Sequence, residues 1–429
     1  MPRSARPGLL WDTRPFNQGR LWEYDPVLED VAALCREKLN IRPDECDVSF
    51  LGEGCNNKVY LVQINGEKKY VMRVSLAVDP KYKTAGEVST IEWLQLHTKV
   101  PVPKVIGFND SNKNSIGFEW IPMDYMPEQS AFYRWLKMSM DEKITVTKDV
   151  ADCLMDMVSK SSFNGIGTLQ GPAPHTLGRI VDMDLCYNDH YDLDIPRGPF
   201  HCTRDYFLSL IETTIPDWDA ELNRSLLNYK QSSAKTDQGY LDLAYRIRRL
   251  LPILFPYSST SAEPTVPWHI DLDLRNIMLG SDNTLSGIID WEFVPTLPLW
   301  ATTQTPKFLD GYVRHEKPDP DCYWSSPGQF DSDDERDNEG KSNAYWMNLK
   351  EYENILLREV YNERMSQLNP DWEKLTRQGR FCNDMRYAIN MISVGFFRKR
   401  ITAWLDKIED GNWYEKLDSD DLPRLKSPY

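Results

Sequence analysis

The sequence predicts an α+β protein in which a small antiparallel sheet precedes a larger, mainly helical part. Three observations carry this. Residues 48–74 read as strand, glycine turn, strand, Asn-Gly turn, strand. Beyond residue 127, apolar residues recur at helical spacing over several long segments. Within that helical part, residues 268–292 hold one short buried hairpin: Ile277, Met278 and Leu279, a turn at Asp282-Asn283, and a second apolar run over 285–289.

With 429 residues, 41% of them hydrophobic, the chain can bury a large core. Its formal charge of −15 gives no basis for a nucleic acid or an anionic membrane surface as partner. Eight cysteines are scattered without a C-x-x-C pair, as expected of reduced thiols in a cytoplasmic setting. No apolar run has the length of a transmembrane helix. Arg3, Arg6, Arg14 and Arg20 against Asp12 share the charge bias of a mitochondrial presequence, whereas Pro2, Pro7 and Pro15 oppose an amphipathic helix there.

Taken in order, residues 1–25 form an extended arm rich in Pro, Arg and aromatics, and 27–39 a helix through Val27, Leu28, Val31, Leu34 and Leu39. Arm and helix are assigned to 1–46. The turn Gly52-Glu-Gly54-Cys-Asn-Asn57 leads into a strand, where a Rossmann or Walker loop needs a helix. By itself it reads as a plain Gly-rich hairpin. Asn65-Gly66 is a two-residue hairpin turn. Residues 83–97 place Val88, Ile91 and Leu94 on one helical stripe with Glu87 beside it, and 116–125 is a strand before Pro127. Residues 144–158 carry Val146, Val150, Leu154, Met157 and Val158 at helical spacing; further helices are expected at 203–215, 238–251, 344–368 and 386–408. In the insertion 311–341, Asp331, Asp333, Asp334, Glu335, Asp337 and Glu339 cannot bury themselves. It is a solvated loop, or a lid if Tyr323-Trp324 faces the site.

Asp271, Asn276 and Asp290 flank the hairpin strands, and a hairpin brings its two ends together. Two carboxylates and a carboxamide suit Mg²⁺, which takes one or two carboxylates and completes its shell with water and phosphates. Asp and Asn also simply cap turns, which is the plainer reading of each alone.

His269-x-Asp271-x-x-x-x-Asn276 followed by Asp290 resembles the catalytic and metal-binding segments of the protein-kinase-like superfamily. The continuation Ile-Ile-Asp-Trp-Glu, in place of Asp-Phe-Gly, is similar to the aminoglycoside phosphotransferase branch, in particular its fungal members. The resemblance spans residues 48–300. It implies a bilobal protein-kinase-like fold, with a small antiparallel-sheet N-lobe over 47–126 and a mainly helical C-lobe over 127–429. It further implies an ATP- and Mg²⁺-dependent kinase acting on a hydroxyl of a small molecule, with Asp271 as base and Asn276 and Asp290 as metal ligands. Gly52, Gly54 and Arg73 would hold phosphates and Glu87 would pair with Arg73. Met123 would stand behind the adenine, and backbone groups of Asp124 and Met126 would meet its edge.

There are departures. Asn57 stands where kinases have a third glycine, Arg73 where they have a lysine, and Asp273 where protein kinases carry another lysine. Asp273 must therefore point away from a γ-phosphate, and Arg275 either replaces the missing cation or braces the loop. No Ala-Pro-Glu element follows. A protein kinase of the same fold and a non-catalytic nucleotide-binding scaffold remain as alternatives.

Overall fold

The arm folds back on itself: β1 (Leu9–Trp11) pairs antiparallel with β2 (Arg20–Trp22), and α1 (Leu28–Leu39) follows. In this computed structural model residues 6–12, 19–126, 128–256, 262–323, 342–411 and 423–425 are described. The acidic run Asp331 to Glu339, with Trp324, Pro127, Arg3 and Arg14, lies outside them.

Next come β3 (Cys46–Glu53), β4 (Asn57–Ile64) and β5 (Lys68–Ser75), then α2 (Tyr82–His97) and β6 (Glu119–Asp124). The four strands form one antiparallel sheet in sequence order. The Asn-Gly turn is realised with Asn65 and Gly66 both at positive φ. Arm and α1 share this lobe's core, with Leu9, Val31, Leu34 and Cys35 buried against Tyr60, Met72, Val74 and Phe118. The strand expected from residue 116 begins only at Glu119. Asn114 accepts from the Ile116 and Gly117 N–H groups (3.0 and 3.1 Å) and donates to Phe118 O (2.7 Å), closing a local turn instead.

Glu119 fixes the start of α2. Its carboxylate accepts from Lys81 N (2.6 Å) and Thr84 Oγ1, and burial pushes it up to about 7 against those bonds. A pKa raised on folding means the native state holds the extra proton, so this group's contribution is complete below about 4.5 and is lost as pH rises through about 7. Stability measured by urea titration should therefore fall across that window, and Glu119→Gln should remove about one proton from the slope.

The helical lobe is built on α3 (Met140–Lys160), which starts with a capping box between Ser139 and Glu142. The helices Thr203–Leu227 and Gln231–Leu254 run past the expected ends at 215 and 251. Pro216 and Pro252 signal a stop in sequence, but Trp218 stacks on Tyr240 at 4.1 Å and carries the first helix onward. Asn343–Leu368 forms as expected. The single helix expected over 386–408 is instead two, Trp372–Met391 and Gly395–Asp410. The break follows from local packing: Ile392 is buried, Ser393 Oγ accepts from the Trp218 indole (3.2 Å), and Val394 is extended.

The hairpin forms in the predicted place. Ile277–Leu279 pairs antiparallel with Leu285–Ile288, and Gln129–Ser130 adds a third strand. A second small sheet sets Pro264–Pro267 between Phe163–Asn164 and Thr296–Pro298. Residues 268–292 are thus pinned at both ends, with Trp268 N donating to Pro295 O (2.9 Å). The protein is bilobal and α+β: a small antiparallel sheet lobe and a larger, mainly helical one. All eight cysteines are free thiols. Among the described residues no helix is long and apolar enough to cross a membrane.

Candidate active site

The segment before the hairpin leaves the strand Pro264–Pro267 and turns through His269 and Asp271. His269 is buried. Its Nε2 meets Ile289 O at 3.1 Å and its ring stands edge-on to Trp291, whose indole donates to Ile288 O (2.9 Å). Burial lowers its pKa, so the imidazole is neutral and serves as a brace between the loop and the strand before Asp290.

Asn276 closes the loop by donating from Nδ2 to Asp271 O (2.8 Å), which leaves Oδ1 for a cation. Its carbonyl accepts from Ile289 N (3.0 Å), which sets Asn276 beside the segment leading into Asp290. Asp290 has φ +66, a left-handed conformation unusual for a side-chain-bearing residue and typical of strained functional positions. Asp273 caps the turn Leu274–Asn276, accepting from Arg275 N (2.9 Å), and the Arg275 side chain pairs with it at 3.3 Å. Arg275 therefore braces the loop. Asp271 is 56% exposed, and its Oδ1 is held by Lys307 from a downstream turn, Lys307–Leu309.

In the sheet lobe, Arg73 on β5 is nearly fully buried and reaches three carboxylates. Nη1 bonds Glu87 on α2, and Nη2 lies 2.6 Å from Asp290 and 3.1 Å from Glu292. Burial opposes its charge, but the three carboxylates outweigh burial and raise its pKa. Glu87 and Arg73 are therefore together as expected, and Arg73 also bonds the expected metal ligand. A phosphate reaching Arg73 must share it with these groups.

Glu292 was not anticipated as a site residue. It is 9% exposed and takes Asn56 Nδ2 on Oε1 (2.7 Å) and Asn57 Nδ2 on Oε2 (3.0 Å), both from the glycine turn, with Lys83 of α2 at 2.8 Å. Burial raises its pKa, but Lys83 and Arg73 more than reverse this and hold it far below the usual carboxylate range. Lys83 is itself completely buried and also donates to Asn57 Oδ1 (3.3 Å). Two cations and three carboxylates thus meet where the lobes join, tying the glycine turn to the segment that carries Asp290.

Gly54 N donates to Asn57 O (2.8 Å), and a Cβ placed on Gly52 would meet nothing within 4 Å. The open space allows close approach of a ligand to the turn's backbone. At the back of the cleft Met123 is buried with Val71, Val88 and Val105. Asp124 N donates to Lys104 O (2.9 Å), so of its main-chain groups the carbonyl is the one left for a ligand edge. Met126 lies close to Gly287 of the hairpin, near enough that a Cβ on Gly287 would clash with its terminal methyl.

The donor set fits a magnesium ion. Asp290 supplies a carboxylate and Asn276 a free amide oxygen, and among the described residues no group of three or more His, Cys, Asp and Glu forms a denser metal cage. Such a pair leaves the remaining positions to phosphate and water oxygens.

The profile of the phosphotransferase enzyme family matches residues 47–322. A subtelomeric hrmA-associated cluster protein of Aspergillus fumigatus is 25% identical over 320 residues, 62% of this chain and 62% of the relative. The mitochondrial altered inheritance of mitochondria protein 9 of Eremothecium gossypii is 21% identical over 340 residues, 68% of this chain and 53% of that protein. The chain therefore spans about 62% of the length of the first of these relatives. Among solved structures, a thermostable mutant of the aminoglycoside phosphotransferase APH(4)-Ia, in ternary complex with ADP and hygromycin B, aligns at 12% identity with a TM-score of 0.43, covering 93% of this chain and 100% of that one. ADP-bound APH(2'')-Ib aligns at 15% identity with a TM-score of 0.42, covering 91% and 97%. With the profile covering well over half of its residues, this chain belongs to the phosphotransferase enzyme family.

Proposed function

We propose that the protein is an ATP- and Mg²⁺-dependent phosphotransferase that phosphorylates a hydroxyl of a small molecule. What supports this is a chain of contacts: Asn276 bonds Asp271 O and accepts from Ile289 N, next to Asp290, while Asp290 is bonded by Arg73, itself paired with Glu87. Mg²⁺ held by Asn276 and Asp290 would offset the charge on the phosphates. Asp271 accepts the proton of the acceptor hydroxyl, whose oxygen bonds the γ-phosphorus while the bond to the bridging oxygen breaks and ADP departs. Lys307 holds one oxygen of Asp271 and leaves the other for that hydroxyl. Gly52 and Gly54 let the turn's backbone approach the phosphates, Arg73 anchors them against Glu87, and the Met123 to Met126 segment receives the adenine.

One observation favours a second reading, a non-catalytic nucleotide-binding scaffold: Asp290 is already bonded to Arg73. Thermal unfolding with ADP and Mg²⁺ separates the outcomes. At a hundredfold excess over Kd, stabilisation of about 2.7 kcal/mol is expected. It should require Mg²⁺, be lost in Asp290→Ala and persist in Asp271→Asn. Stabilisation by ADP that is indifferent to Mg²⁺ and to Asp290→Ala, with no ATP turnover, identifies the scaffold. Absence of any nucleotide effect in folded protein removes both readings.

A further inference from the structure

A cavity of about 280 Å³ opens beside the catalytic loop, on the helical-lobe side. His269, Ile270 and Leu272, which bracket Asp271, form one wall, and Lys307 stands in the wall while its ammonium touches the Asp271 carboxylate. Asp271 itself does not line the cavity, which adjoins it through its two chain neighbours and its Lys307 partner. Its volume is just below the range of about 300–1,000 Å³ usual for ligand pockets, which suits a small occupant.

The charge of this cavity runs against the rest of the molecule. In a chain of net charge −15, its lining holds two cations, Lys307 and Arg386, and no Asp or Glu. Gln304, Thr305, Asn390, Tyr387 and His269 are among its other polar residues. Lys307 is countered by Asp271. Asp182 and Asp184 act on Arg386 at longer range, but Asp182 is itself buried and bonded by Tyr206 Oη (2.7 Å) and Asp184 N (2.9 Å). Among the described residues no carboxylate is within ion-pair distance of the Arg386 guanidinium, which lies 5.9 Å from the Tyr206 ring centroid. A planar, permanently charged fork on a residue that borders a cavity is suited to a carboxylate or phosphate.

We propose that this cavity is the acceptor site and that it takes a small alcohol bearing a negatively charged group, held by Arg386 and Lys307, with its hydroxyl offered to Asp271. Transfer to that hydroxyl rests on the phosphotransferase reading above; the anion preference of the cavity does not. A polyamine or a quaternary amine finds no carboxylate among the lining residues and is disfavoured.

Four small probes distinguish the possibilities by calorimetric titration of the full chain, with and without ADP and Mg²⁺: glycerate, glycerol 3-phosphate, glycerol and choline. At least one of the two anions should bind tenfold or more tightly than glycerol, with choline weakest, and the stronger anion tells carboxylate from phosphate. Lys307→Gln and Arg386→Gln should each weaken that anion about tenfold, with Lys307→Arg restoring it. Should Arg386→Gln fail to fold, Lys307→Gln, at a half-exposed side chain, still decides. Choline or glycerol binding as tightly as the anions, no binding of any probe, or an anion affinity unmoved by Lys307→Gln overturns the proposal. Anion binding without any nucleotide binding keeps the cavity assignment and removes the phosphotransferase reading; the reverse pattern does the opposite.

Discussion

Glu292→Ala should destabilise the protein by about 3–5 kcal/mol, the cost of leaving buried charges without their partner. The side chain removed is 9% exposed and collects Arg73, Lys83, Asn56 and Asn57. Without it Lys83, which is completely buried, keeps only the 3.3 Å bond to Asn57. Urea unfolding gives the loss directly. The pair Glu292→Ala with Lys83→Met should cost less than the sum of the single changes, because the second removes the charge stranded by the first. A loss below about 1 kcal/mol would mean that the five-charge network does not contribute as its geometry implies.

Asp271→Asn should lower the rate of phosphoryl transfer by about 10²- to 10⁴-fold, the usual contribution of a positioned general base. The measurement is ADP release from ATP, with water or any accepted alcohol as acceptor. Affinity for ADP should stay within about twofold, since the role proposed for Asp271 is toward the acceptor and its carboxylate contacts Lys307. A parallel loss of nucleotide affinity would instead place Asp271 among the phosphate-binding groups.

Parts of this site were readable from sequence because their information is local. His269, Asp271 and Asn276 lie within eight residues, and Asp290 follows across a hairpin whose two apolar runs and Asp-Asn turn are contiguous. Glu292 was in plain view two residues further on, yet what makes it a site residue is its partners, 209 to 236 positions away. Lys83 carries no pattern signal either, since a lysine in the first turn of α2 ordinarily faces water. Helix ends failed for a related reason: Pro216 is a local stop signal overruled by the distant contact between Trp218 and Tyr240. In the opposite sense, continuous helical spacing over 386–408 hid a break imposed by packing around Ile392 and Ser393. The fold class was legible because it depends on periods and turns; the charge network depends on tertiary closure.

The arm has a practical consequence for anyone preparing the protein. The family match starts at residue 47, which invites trimming there. Yet Leu9, Val31, Leu34 and Cys35 are interior residues of the sheet lobe, and Arg6 donates to Val78 O, Cys186 O and Asn188 O, stitching the two lobes together. A version cut at the family boundary would uncover a greasy face on the sheet lobe and release one of its fastenings to the other. Recombinant boundaries and affinity tags are better chosen with residues 6–12 and 19–46 counted as part of the folded unit.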